Sequence, residues 1–223
     1  MACVLGACAL LFLAAPPAAA DDGVLSYYVG VRAIGAYAKV DDVKVTGFGG
    51  PADIENDTDT VAGIGGVIGT RFRDIPVRLE LEFNHRFRFD FDVRDTQTGN
   101  VIDNEMNIKT NSALVNAALE WRNETDFTPF FGVSAGWARH TVETERTALA
   151  TQVETERDED KDNFAWGGLL GVDWHFAESW SAQAAYRYID LGEVRSGVGP
   201  AGDSIEADDY ISHDFLIGVL FHF

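Results

Sequence analysis

Five histidines, His85, His140, His175, His213 and His222, are the side chains best suited to proton transfer in this chain, because imidazole changes charge near neutral pH. His213 follows Ser212, and His175 stands two residues after Asp173. A hydrolase needs its Ser or Asp within hydrogen-bond reach of the His. Neighbours on a strand leave from opposite faces, so Ser212 and His213 cannot pair. Asp173 and His175 share a face but have no evident nucleophile beside them. Two acidic clusters, Asp53, Glu55, Asp57 and Asp59, then Glu154, Glu156, Asp158, Glu159, Asp160 and Asp162, carry the oxygen ligands Ca²⁺ prefers. Neither has the glycine-turned spacing of a calcium loop, so both read as solvated acidic surface. No catalytic residue, cofactor or metal ligand is assigned.

The densest charge pattern lies on a strand. Over residues 77–93, Val77, Leu79, Leu81, Phe83, Phe87, Phe89, Phe91 and Val93 alternate with Arg78, Glu80, Glu82, Asn84, Arg86, Arg88, Asp90 and Asp92. Strand side chains alternate sides with period two, so one face is hydrocarbon and the other a ladder of mixed charge. Only His85 breaks the apolar face. The run exceeds the ~5–6 residues of an ordinary soluble strand, and it suits a closed barrel with lipid outside and a polar interior. A soluble sandwich with one wet face is the competing architecture, and the remaining chain decides between them.

Hydrophobic residues make up 46% of the chain. Beyond the N-terminus no apolar run approaches the ~18 residues of a spanning helix, so a membrane form must cross as strands. The formal charge of −19 excludes nucleic acid as a partner, since phosphate backbones demand clustered Lys and Arg. Residues 2–15 are apolar and small, Pro16 and Pro17 follow, and Ala18, Ala19 and Ala20 precede Asp21. That pattern reads as a secretory signal over residues 1–20, leaving a barrel domain over 21–223. Cys3 and Cys8 depart with the signal, so the mature chain forms no disulfide.

Seven further segments alternate in the same way: about 25–40, 61–73, 108–121, 127–142, 164–176, 180–188 and 210–223. Together they make eight strands, an even number and the smallest usual bacterial barrel. Connections are brief near Asp74, Asn123 and Ala177, but long and polar over 41–60, 94–103, 143–162 and 195–208. Trp121, Trp174 and Trp180 sit beside the brief turns, and Trp137 and Trp166 nearer the long segments, as two aromatic girdles would. A sandwich explains neither regularity. The expected fold is all-β: an eight-stranded antiparallel transmembrane β-barrel, up-and-down, with both termini periplasmic.

The chain resembles the eight-stranded outer-membrane β-barrel proteins of the opacity or OmpA-like porin type. The similarity rests on residues 112–116 and 119–121, on 128–139 (TPFFGVSAGWAR), on 164–173 (FAWGGLLGVD), on 186–192 (YRYIDLG) and on the last strand ending in Phe223. Membership implies a Gram-negative outer-membrane location and assembly by machinery that reads a terminal aromatic strand, here Phe221 and Phe223. It also implies long surface loops that meet lipopolysaccharide and could hold a host or surface ligand. It implies no single activity, because the scaffold hosts adhesins, pores and enzymes.

An eight-stranded lumen is just wide enough for side chains to fill it. The inward set is expected to hold Arg32, Arg71, Arg73, Arg78, Glu80, Glu82, Arg86, Arg88, Asp90, Asp92, Glu120, Asp173 and Arg187. Buried charges of both signs survive by pairing, which makes a plug. The alternative is a narrow pore, with room left by inward glycines at 65, 69, 132, 136, 167 and 171. The expected role is therefore envelope integrity and surface presentation, of adhesion type. A small ion-conducting porin is the alternative, and an outer-membrane lipid-modifying enzyme the third class.

Overall fold

The computed structural model describes residues 24–46, 52–55, 58–97, 100–148, 153–195 and 204–223. Side chains are described in these segments except at 41–43, 45, 52–55, 90–97, 100–106, 144–148 and 153–158. The expected signal over 1–20 lies outside the described residues. Eight long strands form the wall: β1 (Leu25–Thr46), β3 (Thr58–Phe72), β4 (Val77–Gln97), β5 (Asn100–Glu120), β6 (Phe127–Ala148), β7 (Val153–Ala177), β8 (Trp180–Asp190) and β10 (Ser204–His222). Two short pieces, β2 (Ala52–Glu55) and β9 (Val194–Arg195), pair with β4 and β10. Each wall strand pairs antiparallel with the next, and β10 pairs with β1 to close the ring.

The ladder pairs fix the stagger. Starting at Arg32, pairs run through Gly65, Asn84, Ser112 and Ala138 to Asn163 on β7. In the other direction they run through Gly218 and Gln183 to Asp173. The two routes end ten residues apart on one strand, 173 against 163. That shear tilts the strands and sets a lumen of the size that side chains can fill.

Tight connections at 73–76, 121–126 and 178–179 define one end, the turn end. At the other end the strands run far past the apolar band. The polar stretches expected as loops over 94–103 and 143–162 are largely strand, with pairs reaching Gln97↔Asn100 and Ala148↔Val153. Period-two hydropathy marks a strand only where its faces meet different surroundings. Beyond the apolar band both faces are wet, so the pattern fades while the backbone ladder continues.

A β-bulge corrects one expectation directly. Pairing steps from Arg86↔Thr110 to Arg88↔Lys109, leaving Phe87 as the extra residue. Phe87 and Arg88 are both exposed, and Phe89 is fully buried. Arg88 therefore points out of the lumen, and Phe89, expected against lipid, points into it. One inserted residue exchanges the two faces of everything beyond it. Asp90 and Asp92 fall outside the residues whose side chains are described. Arg73, also expected inside, is exposed at the turn end.

The interior has two layers. Charged and amide side chains fill the half nearer the turns. The half nearer the hairpins is an apolar core that includes Ile34, Val61, Phe89, Ile108, Leu191 and Leu216. A uniformly polar lumen was the expectation, and the structure limits it to one half. Within the apolar layer His140 is fully buried, with Nε2 2.9 Å from the Leu191 carbonyl and Nδ1 2.9 Å from Thr110 Oγ1. A carbonyl only accepts, so Nε2 carries the proton and the Thr110 hydroxyl donates to Nδ1.

Candidate functional site

The charged layer of the lumen is built from inward positions of seven strands, where alternation within the wall delivers one side chain every second residue. Glu80 accepts from Tyr28 Oη at 2.7 Å and from Arg32 Nη2 at 2.8 Å. Glu82 accepts from Arg32 Nη1 at 2.8 Å and from Arg187 Nη1 at 2.9 Å, and Asn116 Nδ2 donates to both glutamates. Asp214 takes Arg187 at 2.8 and 2.9 Å, Arg86 at 2.5 Å and the Ser212 hydroxyl at 2.7 Å. Asp173 takes Arg78 at 2.7 Å, Gln183 at 2.8 Å and also Arg71. Arg71 Nε lies 2.7 Å from Glu120.

These contacts form one continuous chain of alternating sign, from Arg86 through Asp214, Arg187, Glu82, Arg32, Glu80, Arg78 and Asp173 to Arg71. With Glu120 it holds five guanidiniums, of Arg32, Arg71, Arg78, Arg86 and Arg187, against five carboxylates. The cluster is thus neutral, and the chain's charge of −19 lies elsewhere. Two aromatic rings complete the packing: the Arg78 guanidinium lies 3.6 Å from the Phe130 ring centre, and Arg71 lies 5.2 Å from Tyr28.

The inward glycines do not leave the room expected of them. A Cβ on Gly69 would stand 2.3 Å from the Tyr28 ring, and one on Gly65 would stand 2.2 Å from Asn84 Oδ1. Their missing side chains are the space into which the neighbours pack.

Arg32, Arg71, Arg78, Glu80, Glu82, Arg86, Glu120, Asp173 and Arg187 are thus brought together in the lumen, and Arg88 is not. Sequence reasoning missed Tyr28; the inward parity of Asn116, Gln183 and Asp214 was readable, but their partners come from distant strands. The contact of Ser181 with His222 was likewise not readable: its Oγ lies 2.8 Å from His222 Nε2 across the β8 and β10 pair. Ser181 is fully buried, which withholds it from a substrate. Ser212 is buried against Asp214, while His213 meets Tyr186 Oη at 2.6 Å on the outside. Near the turns a pocket of about 470 Å³ is lined by Ser26, Arg71, Glu120, Arg122, Thr128 and His175, among others. No group of three or more possible metal ligands occurs among the described residues.

Outside, Trp121, Trp137, Trp166, Trp174 and Trp180 are all exposed. At the turn end Phe127 stacks with Trp174, Tyr27 with Phe223, and Phe221 with Phe223, while Trp180 lies 5.0 Å from Phe221. With exposed Val31, Ile68, Phe83, Val133, Leu170 and Ile217 they give the wall an apolar exterior over a charged interior.

The family model of the outer membrane protein beta-barrel domain matches residues 5–223. This chain belongs to that family. Outer membrane protein PagN of Salmonella typhimurium is 28% identical over 188 residues, covering 78% of each chain. Among solved structures, Neisserial surface protein A has a TM-score of 0.56 at 14% identity, covering 88% of this chain and 97% of that one. OprG of Pseudomonas aeruginosa has 0.53 at 18%, covering 90% and 98%. Ail, the attachment invasion locus protein of Yersinia pestis, solved with the heparin analogue sucrose octasulfate, has 0.51 at 11%, covering 90% and 100%. At these identities the structures share the fold. The protein is an eight-stranded antiparallel barrel of the bacterial outer membrane.

Proposed function

We propose that this barrel is a sealed, non-enzymatic surface protein that supports envelope integrity and presents its extended hairpins outward for adhesion-type contacts, with its termini in the periplasm. The observation that carries this reading is the twofold obstruction of the lumen, by a neutral ion-pair chain in one half and an apolar core in the other. Moving an ion through it would require breaking buried pairs and entering hydrocarbon, both costly. The strand pairs that continue beyond the apolar band supply the scaffold that surface recognition needs. Kinship with the outer membrane protein PagN supports the location, and the fold shared with an attachment invasion locus protein favours the adhesion-type role. Phe221 on β10 and Phe223 just after it are the aromatic pair that assembly machinery would read.

Planar-bilayer recordings on the purified barrel test this. The expected result is little or no current, unchanged by Arg88→Gln because Arg88 faces outward. Discrete currents whose selectivity shifts with Arg86→Gln would replace the sealed barrel with a pore. Orientation is tested separately by an Asn100→Cys variant, whose thiol should react with an impermeant maleimide on intact cells.

A further inference from the structure

β8 ends at Asp190, which pairs with Trp166 on β7 and Ile211 on β10, while both neighbours reach well beyond that level. Past Asp190 the chain leaves the line of β8 and turns inward. Gly192 makes this turn, with φ at +82°, and a Cβ there would stand 2.7 Å from Asn163 Cβ. Residues 191–195 thereby form a strap that lies between β7 and β10 and buries Leu191 and Val194 in the apolar layer. Its backbone is tied to β10 by Leu191 N–H to the Tyr210 carbonyl and by Tyr210 N–H to the Gly192 carbonyl, both at 2.9 Å. Toward β7, the Asn163 amide donates to the Glu193 carbonyl at 2.6 Å, and Lys161 Nζ lies 3.2 Å from the Glu193 carboxylate. From β6 comes the bond that His140 Nε2 donates to the Leu191 carbonyl.

We propose that residues 191–195 are an acid-released strap, held closed by His140 while its imidazole is neutral and let go when it takes up a proton. The surroundings of His140 suit the neutral ring. Arg86, Thr110, His140 and Lys161 occupy one row of paired positions across β4, β5, β6 and β7, so one cation stands beyond Thr110 and another directly opposite the imidazole. The Tyr210 ring covers it from β10 at 5.3 Å. Nearby carboxylates are engaged elsewhere: Asp214 with Arg86 and Arg187, Glu193 with Lys161, and Asp190 with Gly192 N–H, while Asp59 on β3 acts on Tyr210. A second proton therefore places an uncompensated charge among apolar side chains. His140 lies beyond Trp137 and the apolar band. Burial above all, with Arg86 adding to it, pushes its pKa down from 6.5 to about 4, against the pull of the Leu191 carbonyl. A His whose closed-state value is depressed favours the closed strap above its ordinary value, and that contribution is lost as pH falls toward the depressed one. To reach water the ring must leave the Leu191 carbonyl, so proton uptake and release of the strap are one event. The charged layer beneath is untouched, so release opens no pore; it uncovers the apolar layer.

The test uses the whole barrel in lipid nanodiscs, with amide hydrogen exchange read by NMR and divided by the intrinsic rate at each pH. Protection of the Leu191 and Tyr210 amides should fall on the order of fiftyfold between pH 7.5 and 4.5, as one proton coupled to opening dictates. Trp121, whose N–H bonds the Pro129 carbonyl at the turn end, should keep its protection. The His140 imidazole should titrate well below 6.5 in the same samples. His140→Gln, which can still donate to the Leu191 carbonyl but cannot titrate, should hold the protection of Leu191 and Tyr210 flat with pH. A gel shift between unheated and boiled samples confirms that the variant is folded. A fall in protection that persists in His140→Gln would assign the response to carboxylates of the strap and overturn the proposal. Flat protection in the wild type, or a His140 midpoint at its ordinary value, would overturn it too. Trp121 losing protection in step with Leu191 would mean global unfolding instead of a released strap. Should His140→Gln fail to fold, the wild-type titration and the Trp121 comparison still decide.

Discussion

Arg187 on β8 and Glu82 on β4 meet at 2.9 Å across the lumen, although 105 residues separate them along the chain. The other oxygen of Glu82 takes Arg32 from β1 at 2.8 Å. A single carboxylate therefore ties three walls of the barrel together. Both side chains of the Arg187 pair are completely buried, so neither charge can turn to water if the other is removed.

Replacement of Arg187 by Met should accordingly lower the unfolding free energy by about 3–5 kcal/mol, because it leaves Glu82 and Asp214 short of a partner. Arg187→Lys should recover only part of this loss, since an ammonium cannot span both carboxylates with a planar fork. Urea unfolding in lipid vesicles, followed by tryptophan fluorescence, measures the difference.

The bulge makes Phe87 and Phe89 unlike although they sit two residues apart. Phe89→Ala should cost about 3–5 kcal/mol, as expected for an aromatic ring removed from a packed core. Phe87→Ala, on the outer wall, should cost much less. Equal losses in the same unfolding assay would mean that β4 alternates without a bulge.

Two glycines on β3 should respond unequally to the same substitution. Gly69→Ala drives a methyl against the Tyr28 ring and pushes its hydroxyl away from Glu80, which should destabilise the barrel by about 1–3 kcal/mol. Gly66→Ala faces open space on the outer wall and should be nearly silent. The temperature at which the compact gel band disappears compares the two.

Beyond the apolar band, the hydrogen bond from Arg139 holds the Asp162 carboxyl below its ordinary value. A carboxyl with a depressed folded value contributes stability that is present above its unfolded pKa and lost as pH falls through the folded one. The Asp162 contribution should therefore stay constant from pH 8 down to about 5 and disappear only below about 4. Carboxyl-resolved NMR titration should show the Asp162 midpoint rising in Arg139→Gln. An unchanged midpoint in that variant would exclude Arg139 as the cause.

Much of this protein was determined by its sequence alone. Alternation over residues 77–86, brief turns near Asp74, Asn123 and Ala177, and tryptophans near strand ends are local features, readable because lipid and lumen impose opposite demands on neighbouring residues. The inward parity of Arg32, Arg78, Glu80, Glu82, Arg86 and Arg187 followed from the same rule. Tertiary structure decided whatever depends on register between strands. A single extra residue at Phe87 turned Arg88 outward and Phe89 inward, and no propensity marks which residue of an alternating run will bulge. The reach of the hairpins was hidden because hydropathy stops distinguishing two faces once both are wet. The apolar layer above the charges, and the partner that each buried charge finds, were set by a stagger of ten residues around the ring. That stagger brings residues as distant as Arg187 and Glu82 to one level, and it exists only once the barrel closes.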